Sequence, residues 1–160
     1  MKLTALFCLA CVALPAPALA ADAACQAIID AGRAKLRAPM VHDINVLDTQ
    51  SGLTGEFIKI GNDAWLKADR GWKKMPPAML KTMQNAALDG LTMKDCKQVG
   101  SETLGAVSTR IYSWTTIVDG KSYGSARVWI GGDGLPYKQT SASTSGTTRY
   151  SGVTAPKAAK

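Results

Sequence analysis

Histidine is almost absent from this chain of 160 residues: His42 is the only one. A zinc site needs several imidazoles or thiolates, and a nucleophile–histidine pair needs partners that nothing in the spacing supplies. His42 and Asp43 are neighbours in an alternating, strand-like segment, so they point to opposite faces and cannot act together. Cysteine is also scarce, four in all. No catalytic constellation and no metal-ligand set can be assembled, which predicts no enzyme activity, no metal and no cofactor. No apolar run is long enough to serve as a permanent membrane span. Acidic residues are few, 12 against 19 Lys and Arg, for a formal net charge of +7.

The N-terminus sets the expected compartment. Met1-Lys2 gives a short positive start, Leu3 to Leu14 is apolar except for Thr4, and Ala18-Leu19-Ala20 is a small-residue cleavage site. That pattern predicts a signal peptide over 1–20, export, and a periplasmic protein beginning at Ala21. Cys8 and Cys11 leave with the signal, so Cys25 and Cys96 remain as an even pair that predicts one disulfide. Closing a loop of that size removes about 4 kcal/mol of unfolded-state freedom. Asp22 stands where acylation of Cys25 would need Leu or a similar residue, which argues against a lipidated start. For a cytoplasmic protein the positive charge would raise nucleic acid as a partner. In an exported one it points to anionic headgroups, to acidic surfaces, or to nothing beyond solubility.

Residues 21–154 are enough for one domain with one core. Asp22 is placed to cap a helix whose Cys25, Ile28, Ile29, Gly32 and Leu36 share a face and which Pro39 ends. Four short strands follow. Met40 to Asp48 alternates with Met40, His42, Ile44 and Val46 on one side, and Gly55 to Ile60 returns with Ile58 and Ile60 inward. Ala64 to Lys67 and Gly71 to Met75 flank Asp69-Arg70-Gly71. Pro76-Pro77 opens a second helix with Met79, Leu80, Met83 and Ala87 on its apolar face and Gly90 as its stop. From Lys94 onward the chain reads as strands and turns. Val107 to Val118 carries Tyr112 and Trp114 on one face and Ile111 on the other, and Asp119-Gly120 turns into Ser122 to Ile130. Gly131-Gly132-Asp133-Gly134 is a glycine-rich reversal into a polar strand from Tyr137 to Thr144, and a last strand runs from Thr147 to Val153. Residues 155–160 have nothing to bury and form a loose tail.

Two surfaces stand out. Lys67, Arg70, Lys73 and Lys74 gather around Trp65 and Trp72, a pattern that fits a basic patch with aromatic anchors and equally a solvated hairpin face. Met75, Met79 and Met83 give a soft, adaptable helix surface, which fits a permissive apolar site and equally ordinary core.

Trp65-Leu66-Lys67, Trp72-Lys73-Lys74-Met75-Pro76-Pro77 and Val128-Trp129-Ile130 with Gly134-Leu135-Pro136-Tyr137-Lys138 together resemble the LolA-like superfamily. This group holds periplasmic lipoprotein carriers and related lipid-carrying lipoproteins. The resemblance runs from Val46 to Pro156. It implies an open antiparallel half-barrel whose concave apolar side is covered by helices and holds acyl chains. None of the carriers' functional polar residues matches a position here.

The resulting expectation is an α+β protein, a curved antiparallel sheet covered by an N-terminal helix and a Met-rich lid helix. Tyr112, Trp114 and Trp129 from the sheet and Met79, Leu80 and Met83 from the lid are the expected contacts of a lipid or acylated protein. The alternative is a protein-interaction module such as an inhibitor, an immunity protein or an envelope-assembly accessory. In either case the protein is expected to be a monomer, peripheral at most to a membrane, with no nucleic-acid partner.

Overall fold

Among the described residues nine strands form one open antiparallel sheet made of two meanders. The first runs through β1 (Met40–Asp48), β2 (Leu53–Ile60), β3 (Asp63–Ala68) and β4 (Gly71–Lys74). The second runs through β5 (Thr92–Leu104), β6 (Val107–Val118), β7 (Lys121–Gly131), β8 (Pro136–Thr140) and β9 (Ser145–Arg149). Pairing of β1 with β9 fuses them, so the order across the sheet is β4-β3-β2-β1-β9-β8-β7-β6-β5. Helix α1 (Pro17–Arg37) precedes the first meander, and α2 (Pro77–Ala86) joins the two. The structure, a computed structural model, describes residues 17–68, 71–86, 92–118 and 120–157. The apolar run expected to be part of a signal peptide, the Asp69-Arg70 tip and the Gly90 stop lie outside the described residues.

The chain crosses from one edge of the sheet to the other between Lys74 and Thr92, a connection that includes the ten-residue α2.

Both helices lie on one face. Directly paired residues share a face, so Val41, Lys59 and Ala64 form one row across β1, β2 and β3. Val41 is 2% and Ala64 1% exposed. Ala64 packs with Met75, Leu80 and Phe57 under α2. In the second meander Tyr112, Trp114, Ala126, Val128 and Ile130 face Ala24, Ile28 and Ala31 of α1. The opposite row, His42, Ile58, Trp65 and Lys74, faces away from both helices. The sequence pattern had turned Ile58 and Ile60 inward. The ladder places them on the uncovered side, where Ile58 is 5% exposed beside His42 and Trp65.

Local departures have local causes. Helix α1 starts at Pro17 rather than at Asp22, because Ala18 to Ala24 is rich in strong helix formers that carry the helix upstream. The polar strand after the glycine reversal is only Pro136–Thr140, since Ser141 and Thr144 close a turn by backbone and hydroxyl hydrogen bonds. The last strand stops at Arg149, where Tyr150 donates its hydroxyl to the Pro136 carbonyl at 2.6 Å. At the reversal itself, a Cβ on Gly131 would sit 2.6 Å from Asp133 Oδ1 and 2.7 Å from the Tyr137 ring. Tyr137 donates to Asp133 at 2.6 Å, and burial together with that carboxylate pushes its phenol up to about 12. Edge strand β5 carries two bulges, between Lys94 and Lys97 and between Gln98 and Gly100, with Asp95 at φ 56° in the first.

Candidate functional site

A hollow of about 520 Å³ lies between α1 and the sheet, within the range of about 300–1,000 Å³ usual for small-molecule sites. Ile28, Ile29, Gly32 and Arg33 of α1 roof it, and Trp114, Val128 and Met93 supply apolar floor. Asn45 to Leu47, Pro136, Lys138, Gln139 and Thr144 to Gly146 form its far end. Gly32 matters because a helix-interior glycine weakens a helix by about 1 kcal/mol relative to alanine, while here it leaves space in the roof. Trp114 is fixed by donating its indole N–H to Thr116 at 3.1 Å.

The roof is fastened at both ends. Cys25 is bonded to Cys96 of β5, as its pairing with the only other expected mature cysteine required. At the other end Lys35 Nζ reaches Asp43 Oδ1 at 2.7 Å, and Thr148 donates to the same oxygen at 2.6 Å. Lys59, 8% exposed, donates to the carbonyls of Leu36 at 3.0 Å and Ala38 at 2.6 Å. A cation at these last, otherwise unpartnered carbonyls is favoured by the helix dipole. Burial pulls the Lys59 ammonium below the usual lysine range.

The residues singled out from the sequence divide among three places. Trp114 lines the hollow. Tyr112 belongs to the same buried cluster but lines a separate groove under Ala27, Ala31 and Ala34. Trp129 lies on the opposite face, paired with Ile111 and Lys138, and its indole N–H donates to Glu102. Leu80 is buried against β3, whereas Met79 and Met83 are 51% and 44% exposed. None of these three helix residues lines the hollow: α1 covers it, and α2 covers β3. The covering residues of α1 were legible only as a packing face, and Gly32 was the one signal of a gap beneath it.

The basic patch is split as well. Lys67 and Lys74 stand on the uncovered face, with ammonium groups 5.9 Å from the Trp72 ring centroid and 5.8 Å from that of Trp65. Lys73 pairs with Leu66 on the helix-covered face, and Arg70 lies outside the described residues. Beside Lys67, His42 accepts at Nδ1 from Arg149 Nη2 at 2.7 Å, so its proton sits on Nε2, which is 3.1 Å from Glu56. The Lys67 hydrogen bond holds the Glu56 carboxyl below its ordinary value, with His42 adding to it. These contacts tie β1, β2, β3 and β9 together on the uncovered face. Among the described residues no group of three His, Cys, Asp or Glu could hold a metal ion, and no helix is long and apolar enough to cross a membrane.

No protein-family model matches the chain, and no curated protein matches it. Solved structures do. LprF from Mycobacterium bovis is 12% identical, with a TM-score of 0.52 over 87% of this chain and 98% of that one. Lipoprotein LppX from Mycobacterium tuberculosis is 16% identical over 87% and 99%, with a TM-score of 0.47. A LolA superfamily protein from Nitrosomonas europaea is 9% identical over 82% and 92%, with a TM-score of 0.32. At such identities the likeness concerns the fold, and only the LprF superposition is close enough to argue from. The chain shares the fold of LprF, an open, curved antiparallel sheet, with the two helices of the described residues on one face, as the resemblance read from Trp65, Trp72 and Val128 to Lys138 implies.

Proposed function

From a LolA-like sheet with a roofed hollow, we propose that this chain is an exported, periplasmic binding protein that holds an apolar or lipidic ligand. A lipid or the acyl chain of a lipoprotein is the class in view, held without chemical conversion. The hollow beneath α1 carries the reading: a folded core normally closes to crystal-like density with few voids larger than a water. Here Ile28, Ile29, Met93, Trp114 and Val128 instead border open space. Burying apolar surface in it yields roughly 25 cal/mol per Å². The Cys25–Cys96 bond supports an oxidising compartment, where such bonds persist.

Native mass spectrometry after detergent-free purification from an envelope extract is expected to show a co-purifying lipid, and the apo protein to take up a fluorescent fatty acid. A clean apo mass together with no uptake sinks the reading.

One observation favours a second reading. The face turned away from both helices carries Trp65, Trp72 and Trp129, three of the four tryptophans, each with a lysine over its ring. Trp129 is buried, but half-buried Trp65 and Trp72 beside the exposed Lys67 and Lys74 suit a protein interface. A stoichiometric crosslinked partner that is lost on Trp72→Ala, with lipid uptake absent, would favour that module.

A further inference from the structure

A second cleft, of about 600 Å³, opens where the end of α1 and the start of α2 stand beside the turn between β2 and β3. It shares no lining residue with the hollow. Arg37, Lys59 and Lys81 line it and, among the described residues, no aspartate or glutamate does. We propose that this cleft binds a phosphate group held by those three cations, independently of what the hollow holds.

Lys59 carries the argument. It projects from β2 to the face that both helices cover, in the row of Val41, Lys59 and Ala64, and it is buried. Its ammonium donates to the carbonyls of Leu36 and Ala38. Those two residues line the cleft as well, so the charge stands at the cleft wall. An ammonium has three donors, and two carbonyls leave one unused. Among the described residues no carboxylate pairs with it, and burial pulls its pKa down with no acid to offset it. A buried cation without a counter-charge is costly, and the carbonyls supply only the partial charge of a helix end. An anion in the cleft supplies the rest.

The other two cations are placed to share it. Arg37 and Lys81 are exposed, and among the described residues neither makes an ion pair. Three like charges around one cleft repel one another. A carboxylate answers one of them, whereas a phosphate monoester brings nearly two charges and three acceptor oxygens. The arginine fork and the two ammonium groups suit such a group. Helix α2 begins at Pro77, in the lining, and presents the positive end of its dipole there. The cleft is also shaped in advance, because Gly61 donates to the Pro39 carbonyl at 2.7 Å and fixes the β2–β3 turn against the segment after α1.

Calorimetric titration of the full chain with inorganic phosphate, glycerol 3-phosphate, dihexanoyl-phosphatidate and acetate tests the site. Circular dichroism confirms folding of two variants, Arg37→Gln/Lys81→Gln and Lys59→Met. The phosphates are expected to bind one per chain and more tightly than acetate by about fivefold or more. The double variant should weaken them by about fivefold or more and leave fatty-acid uptake by the hollow unchanged. Lys59→Met should abolish phosphate binding; where that variant fails to fold, the double variant decides. Raising salt from about 50 to about 500 mM should weaken binding in the wild type. Phosphatidate binding more tightly than glycerol 3-phosphate, by a margin the double variant removes, assigns a lipid head. Equal affinities, or a margin that survives the double variant and so belongs to the hollow, assign a small phosphate. No saturable phosphate binding, acetate binding as tightly as phosphate, or wild-type affinity in the double variant or in a folded Lys59→Met overturns the site.

Discussion

Removing the Cys25–Cys96 bond is the perturbation whose size the structure fixes best. The two residues are 71 positions apart, and the chain-entropy relation gives about 4.4 kcal/mol at 25 °C for a loop of that length. Against a total stability of about 5–15 kcal/mol, that is a large share. At roughly 3–4 °C per kcal/mol for a domain of this size, the midpoint of thermal unfolding should drop by about 15 °C. Cys96 is buried, 3% exposed, so Cys25→Ala/Cys96→Ala also leaves a small void that adds about 1 kcal/mol or less. Urea titrations of the variant, beside wild type with and without a reductant, separate the two contributions, because the reductant removes the bond without the void. The other anchor of α1, Lys35 on Asp43, is untouched, so the roof should stay on the sheet with its N-terminal half loosened and fatty-acid affinity lowered. A loss below about 1 kcal/mol, or two free thiols in the oxidised protein, would refute the clamp.

Lys67→Ala should change acid stability in one direction. Glu56 has its folded value held below 4.5, first by Lys67. Its contribution is therefore present above that pH and lost as pH falls through the lowered folded value. The variant should show a shallower fall in urea midpoint below pH 4.5, and an unchanged profile argues against the contact. On α2, Leu80→Ala should cost about 2–4 kcal/mol, while Met79→Ala stays within about 0.5 kcal/mol. Neither should move ligand affinity, because neither side chain lines the hollow. A large affinity loss in Met79→Ala would restore α2 as the cover.

Much of the fold was legible because the turn chemistry was strong. Thr49 to Gly52, Gly61-Asn62 and the glycine reversal at 131–134 mark their hairpins, and β1 and β6 begin and end where alternation predicted. The sign of the alternation was harder. Val41, His42 and Asp43 are all buried, so period two told which residues share a face and not which face the helices cover. That choice is made by partners distant in sequence: Lys35 on Asp43, Lys59 on the end of α1, Thr148 from the last strand. The hollow itself was not legible. Trp114 borders it because it lies in a central strand beneath α1, and Trp129 faces the other way because it is one residue out of phase with Val128 and Ile130. Met79 and Met83 drew attention through composition, but a ten-residue helix that docks by Leu80 leaves its other methionines in water.

The irregular backbone of β5 has an outcome beyond its own pairing. A long outer strand normally offers a row of free amides and carbonyls onto which another chain can add itself. Here two extra residues break the rhythm of that row, and an aspartate in left-handed geometry twists it close to Cys96. A newcomer could match only a few positions before falling out of step. The molecule can thus keep an unsealed margin without inviting stacking into fibres, and the gap between its two borders is preserved.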